Sequence, residues 1–74
     1  MDFDYSKLRG RIVEKFGSIS NFSDHLVKSR QSVNLKLSNK INFTRDDIIE
    51  WSNLLDIPQE DYGLYFFTKK LNNV

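Results

Sequence analysis

Arg30, Gln31, Asn34 and Ser38 recur at spacings that a helix gathers on one side, with Leu35 among them. A row of guanidinium, carboxamide and hydroxyl groups can hydrogen-bond the edges of nucleic-acid bases or the polar groups of a protein, and a leucine can meet a thymine methyl or an apolar partner. The chemistry on offer is recognition. Catalysis has no comparable set of groups. His25 is the single histidine, and no cysteine stands for it to activate or to share a metal with it. Asp46 and Asp47 are adjacent, so on a helix their carboxylates diverge by about 100°. Gly10, Gly17 and Gly63 are too scattered to cradle a phosphate. No enzyme activity, metal, cofactor or small-molecule substrate is expected.

The recognition row must be turned outward, and the surrounding stretch SISNFSDHLVKSRQSVNLKLS, residues 18–38, supplies the means. Ile19, Phe22 and Leu26 share one face of a first short helix, and Val33 and Leu37 share one face of a second. With Val33 and Leu37 inward, Gln31, Asn34, Leu35 and Ser38 point out. Ser18 and Ser29 stand where a hydroxyl accepts a backbone N–H left unpaired by a first helical turn. The connection falls near Val27 and Lys28. Two short helices joined in this way have the plan of a helix-turn-helix, whose second helix enters the major groove.

The rest of the chain reads as the frame. Asp4 can cap a helix running to about Phe16, with Leu8, Ile12 and Phe16 as its buried stripe and Gly17 as a left-handed stop. Gly10 weakens that helix by about 1 kcal/mol relative to alanine, compensated by a close helix crossing or simply tolerated at the surface. Lys7, Arg9, Arg11 and Lys15 form a solvated face. Thr44 and Asp47 make a capping box for a further helix carrying Ile48, Trp51 or Ser52, and Leu55, with Ile49 and Leu54 widening the stripe. Trp51 is the expected core anchor. Pro58 ends that segment and opens a turn through Gln59, Glu60 and Asp61. Tyr65, Phe66 and Phe67, within an aromatic segment at 62–68, either close the core or form a dimer seam. Residues 72–74 are expected to fray. The fold class is all-α, a bundle of four to five helices in one domain spanning residues 1–74.

Net charge is only +1, but its distribution is uneven. No acid lies between Asp24 and Asp46, where Lys28, Arg30, Lys36, Lys40 and Arg45 stand, whereas acids cluster from Asp46 to Asp61. Lys28, Lys36, Lys40 and Arg45, with the hydroxyls of Ser18 and Ser20, are therefore the expected phosphate contacts. No apolar run approaches the ~20 residues of a membrane span, and the N-terminal MDFDYSKLRGR lacks an apolar signal core. A cytoplasmic location is expected, with no membrane partner.

YSKLRGRIVEKFGS at the start, Phe22 and Leu26, SRQSVNLKLSNK, INFTRDDIIEWSNLLDIP and the terminal GLYFFTKK together resemble the Cro/repressor class of phage helix-turn-helix regulators, and more closely the short Cro-like proteins of phages from Gram-positive bacteria. The resemblance implies a lambda-repressor-like fold, a homodimer on operator DNA, a place in the bacterial host's cytoplasm and a part in the lysogenic/lytic choice. Three positions depart from that class. Ile19 stands where a phosphate-holding polar residue is usual, Ser23 replaces a small alanine, and Val27 occupies a position usually held by glycine.

Ile19, Val27 and Leu35 then make the outward face more apolar, as a protein partner would require. Two functions follow. The first is a Cro-like regulator reading operator DNA through Arg30, Gln31, Asn34, Leu35 and Ser38. The alternative is an antirepressor that binds the DNA-binding domain of the phage repressor, with Ile19, Val27 and Leu35 at the interface.

Overall fold

A computed structural model of the chain describes residues 2–26 and 29–70. The first helix, α1 (Ser6–Phe16), buries Leu8 and Ile12. Its start differs from the expectation. The residue before the helix is Tyr5, and Asp4 instead accepts the Ser6 N–H at 2.9 Å. The Ser6 hydroxyl and backbone N–H hold the Asp4 carboxyl below its ordinary value. Gly17 ends α1 at φ 85°, where a side chain would be strained. Gly10 faces open space, so no close crossing explains it.

Two short helices follow, α2 (Ile19–Leu26) and α3 (Arg30–Leu37). Each is capped as its sequence dictates. Ser18 Oγ accepts the Asn21 N–H at 3.1 Å, and Ser29 Oγ accepts the Ser32 N–H at 3.1 Å. The expected turn at Val27 and Lys28 lies outside the described residues. Phe22, Ser23 and Leu26 are buried on α2, Val33 and Leu37 on α3. The buried Ser23 hydroxyl donates to the Ile19 carbonyl at 2.9 Å, so this position costs the packing little.

In α4 (Arg45–Leu55) the capping box forms as expected: Asp47 N–H donates to Thr44 Oγ1 at 3.1 Å, and Thr44 N–H donates to Asp47 Oδ2 at 2.9 Å. Trp51, Ser52 and Leu55 are all buried. After Pro58 come a 3-10 turn, Gln59–Asp61, and a short helix, α5 (Tyr62–Phe66). Among the described residues these are the helices, and none is long and apolar enough to cross a membrane.

The core is aromatic at its centre. Trp51 is 1% exposed and meets Phe22 and Phe43 edge to face at 4.9 and 4.7 Å, and Phe43 in turn meets Phe66 and Tyr5 at 5.2 Å. α1 packs against α2, α4 and α5, and α3 packs on α2.

The basic face of α1 is not simply solvated. Arg9 Nη2 donates to the Leu37 carbonyl at 3.3 Å, and Arg11 donates to the Leu55 carbonyl at 2.8 Å and to the Asp56 carbonyl at 3.4 Å. Lys15 pairs with the Asp56 carboxylate, which holds that carboxyl below its ordinary value. The physical reason is shared. The last carbonyls of a helix lack intrahelical N–H donors and carry the negative end of its dipole, so cations on a neighbouring helix settle there.

The two ends of the described chain are joined. Phe3 bridges Lys69 in antiparallel fashion, with Asp4 N–H donating to the Thr68 carbonyl at 2.7 Å and Lys70 N–H to the Asp2 carbonyl at 3.3 Å. The free edge of Phe3 is filled by a side chain. Asn39, left-handed at φ 65°, accepts the Phe3 N–H at 2.9 Å and donates to the Phe3 carbonyl at 3.0 Å. The loop leaving α3 is thereby fastened to the N-terminal segment, which is itself bridged to Lys69.

Candidate macromolecular interface

α3 is held from three sides before it presents anything. Val33 and Leu37 anchor it in the core, Arg9 caps its C-terminal end, and Lys36 ties it to α4. Arg30, Gln31, Asn34 and Ser38 are exposed in consequence, and Leu35 is half-buried. Ser38 Oγ turns back to the Asn34 carbonyl at 2.5 Å, which occupies its proton and leaves the oxygen as an acceptor. The expected outward row therefore exists as a surface.

Several neighbours of that row lie elsewhere than the sequence placed them. Lys36 was an expected phosphate contact, yet its ammonium sits 3.0 Å from Asp47 Oδ2, with side-chain exposures of 13% and 10% for the two residues. Burial raises the Asp47 carboxyl, but the Thr44 N–H, the Lys36 ammonium and the Thr44 hydroxyl outweigh it and leave the group below its ordinary value. One carboxylate thus closes the cap of α4 and neutralises a cation of α3. A short Asp at the third helical position, reaching back to the cap, brings its oxygens within range of α3, and no local pattern announces that meeting.

Ile19 is the second correction. It is half-buried and packs against the core instead of standing on an outer face, because α1 and α3 cover both flanks of α2. Arg45 is exposed, but it lines a cleft with Phe43, Ile48 and Tyr62 on the α4–α5 side. Lys40 is exposed in the loop after α3. Ser18 and Ser20 are half-buried, and Ser18 is engaged as a cap. Lys28 and Val27 fall outside the described residues.

The aromatic segment divides three ways. Phe66 is in the core, Tyr65 packs on it with the Lys7 ammonium 5.5 Å above its ring, and Phe67 is 52% exposed. His25 is exposed on α2, its Nδ1 2.9 Å from the Asn21 carbonyl and its ring 4.7 Å from Phe16. Among the described residues no group of three or more His, Cys, Asp or Glu is placed to hold a metal ion.

What the sequence missed is the apolar surface of α4 and the segment after α5. Ile49 was expected to widen a buried stripe but is 42% exposed. The available signal was the width of the stripe itself. Ile48, Ile49, Trp51, Ser52, Leu54 and Leu55 span more of a helix than one small core can cover.

The solution structure of the modulator of repression (MOR) of the temperate bacteriophage TP901-1 from Lactococcus lactis is similar to this protein. The two are 36% identical, with a TM-score of 0.82, over 97% of this chain and 97% of that one. No curated protein matches the chain. A family profile described as "Protein of unknown function (DUF739)" matches residues 1–69. By that match the chain belongs to the DUF739 family.

Proposed function

We propose that this protein is a phage modulator of repression that acts by binding the phage repressor and altering the repressor's hold on its operator. The observation that carries this function is the 36% identity, over 97% of both chains, to a protein that bears that description. Electrostatics support it. Non-specific affinity for DNA comes mainly from phosphate neutralisation, and Lys36 is withdrawn into its pair with Asp47 while Arg45 faces the α4–α5 cleft. Arg30 and Lys40 are the exposed, described cations that remain on and just after α3.

A second function, direct operator binding by a Cro-like dimer, is favoured by one observation. The exposed row of Arg30, Gln31, Asn34 and Ser38 has the composition of a base-reading helix face. Titration of the labelled protein with purified repressor and, separately, with the phage's own intergenic DNA at low salt distinguishes the two. Saturable binding of repressor with no shift by DNA alone is expected. A sequence-specific DNA shift that Gln31→Ala weakens by about 1–3 kcal/mol, with no repressor complex, overturns the proposal.

A further inference from the structure

The half-exposed apolar residues Ile49 and Phe67 line one open cleft with Phe43, Ile48 and Tyr62, and Arg45 is the charged residue among its described walls. A second cleft of opposite sign adjoins it, lined by Asp46, Glu50, His25 and Asn53. Ile49 belongs to both. The cause is helical geometry. At about 100° per residue, Arg45 falls about 40° to one side of Ile49, and Asp46 and Glu50 fall about 60° and 100° to the other. α4 therefore carries an apolar ridge with a cation on one flank and two carboxylates on the other.

We infer that this ridge and its two clefts form the docking surface for the repressor, seating an amphipathic segment of that partner. The segment lays apolar side chains over Ile49 and Phe67, sets a carboxylate against Arg45 and sets a basic side chain against Asp46 and Glu50. This rests on the function proposed above and names the surface that performs it. Charge complementarity identifies the occupant's chemistry. Polynucleotide phosphate is repelled by the two carboxylates, and a small ligand would leave much of its surface wet against walls as open as Ile49 and Phe67. A protein segment with both signs of charge satisfies both flanks, and the separation of the signs fixes the direction in which it lies. The surface also lies off α3, which leaves the polar row of that helix uncommitted.

The test is calorimetric titration of full-length repressor into wild-type protein and into the variants Ile49→Lys, Phe67→Ser, Arg45→Glu, Glu50→Lys and, on the exposed side of α1, Glu14→Gln. All five positions are exposed, and a thermal melt of each variant verifies its fold. Sedimentation of the wild-type protein alone runs beside it. Expected are losses of about tenfold or more for Ile49→Lys and Phe67→Ser, smaller and salt-dependent losses for Arg45→Glu and Glu50→Lys, and a change within about twofold for Glu14→Gln. Wild-type affinity in Ile49→Lys and Phe67→Ser overturns the docking surface and leaves the proposed function standing. So does a self-associated wild type that Ile49→Lys dissociates without weakening the repressor, since the occupant is then a second copy. Absence of any wild-type complex with the repressor overturns the function, and this surface falls with it.

Discussion

The outer face of α3 and the ridge of α4 are both exposed, and they expose opposite chemistry. α3 shows Arg30, Gln31, Asn34 and Ser38, whereas α4 shows Ile49 flanked by Arg45 and Glu50. Ile19, expected on an outer face, packs against the core, and Ile49, expected inward, is exposed on α4. Both shifts have one cause. In a bundle this small each helix is covered over a limited arc, and neighbours on both sides of α2 draw Ile19 inward while the arc over α4 stops short of Ile49. The Lys36–Asp47 pair lies between the two faces and removes a cation from the first of them.

The contrast can be broken most forcefully at that pair. Asp47→Ala removes the capping box and leaves the Lys36 ammonium buried without its counter-charge, so a loss of about 3–5 kcal/mol is expected in urea denaturation. Lys36→Met should cost less than half as much, since Thr44 still satisfies the carboxylate. Equal losses would mean that the pair, and not the cap, carries the energy.

Acid sharpens the same point. The folded Asp47 carboxyl titrates below its unfolded value of 3.8, so its contribution is fully present above that pH and is lost as pH falls through the folded value. Circular dichroism from pH 5 down to about 2 should show stability declining. Asp47→Asn should flatten part of that decline, and an unchanged slope would assign acid sensitivity to Asp4 and Asp56 instead.

Asn39→Gly is expected to be milder. Glycine keeps the left-handed backbone but removes both hydrogen bonds to Phe3, at about 1–2 kcal/mol, and amide exchange at Phe3 should accelerate while α4 stays protected. Uniform acceleration across the chain would show that the clamp is no local fastening. Smallest are two gains. Gly10→Ala, in open space on a helix, should add up to about 1 kcal/mol. Ser52→Ala should be neutral or add a few tenths to about 1 kcal/mol, because its buried hydroxyl has no partner among the described residues. A destabilised Ser52→Ala would reveal that the hydroxyl is satisfied after all.

What was legible in the chain is what depends on near neighbours. Ser18, Ser29 and the Thr44–Asp47 box cap the helices they precede, Gly17 stops α1, and Pro58 leads into the 3-10 turn. Leu8, Ile12, Phe22, Leu26, Val33, Leu37, Trp51 and Leu55 are buried because each lies on the centre line of an apolar stripe. Stripe edges were not legible. Ile19 and Ile49 have the same side chain at comparable margins, and only the neighbours that cross α2 and α4 assign one inward and one outward. Arg9 and Arg11 were read as a solvated face and Lys36 as a phosphate contact because their acceptors, the Leu37 and Leu55 carbonyls and the Asp47 carboxylate, lie between 11 and 44 residues away.

The sequence by itself determined the helices α1 to α4, the caps of α2, α3 and α4, their central apolar positions and the polar row of α3, because each follows from interactions reaching no more than about four residues along the chain. Only the tertiary structure decided which cations remain in solvent and which isoleucine remains uncovered. Those outcomes depend on distances between helices, and a distance between helices is a property of how their whole faces pack.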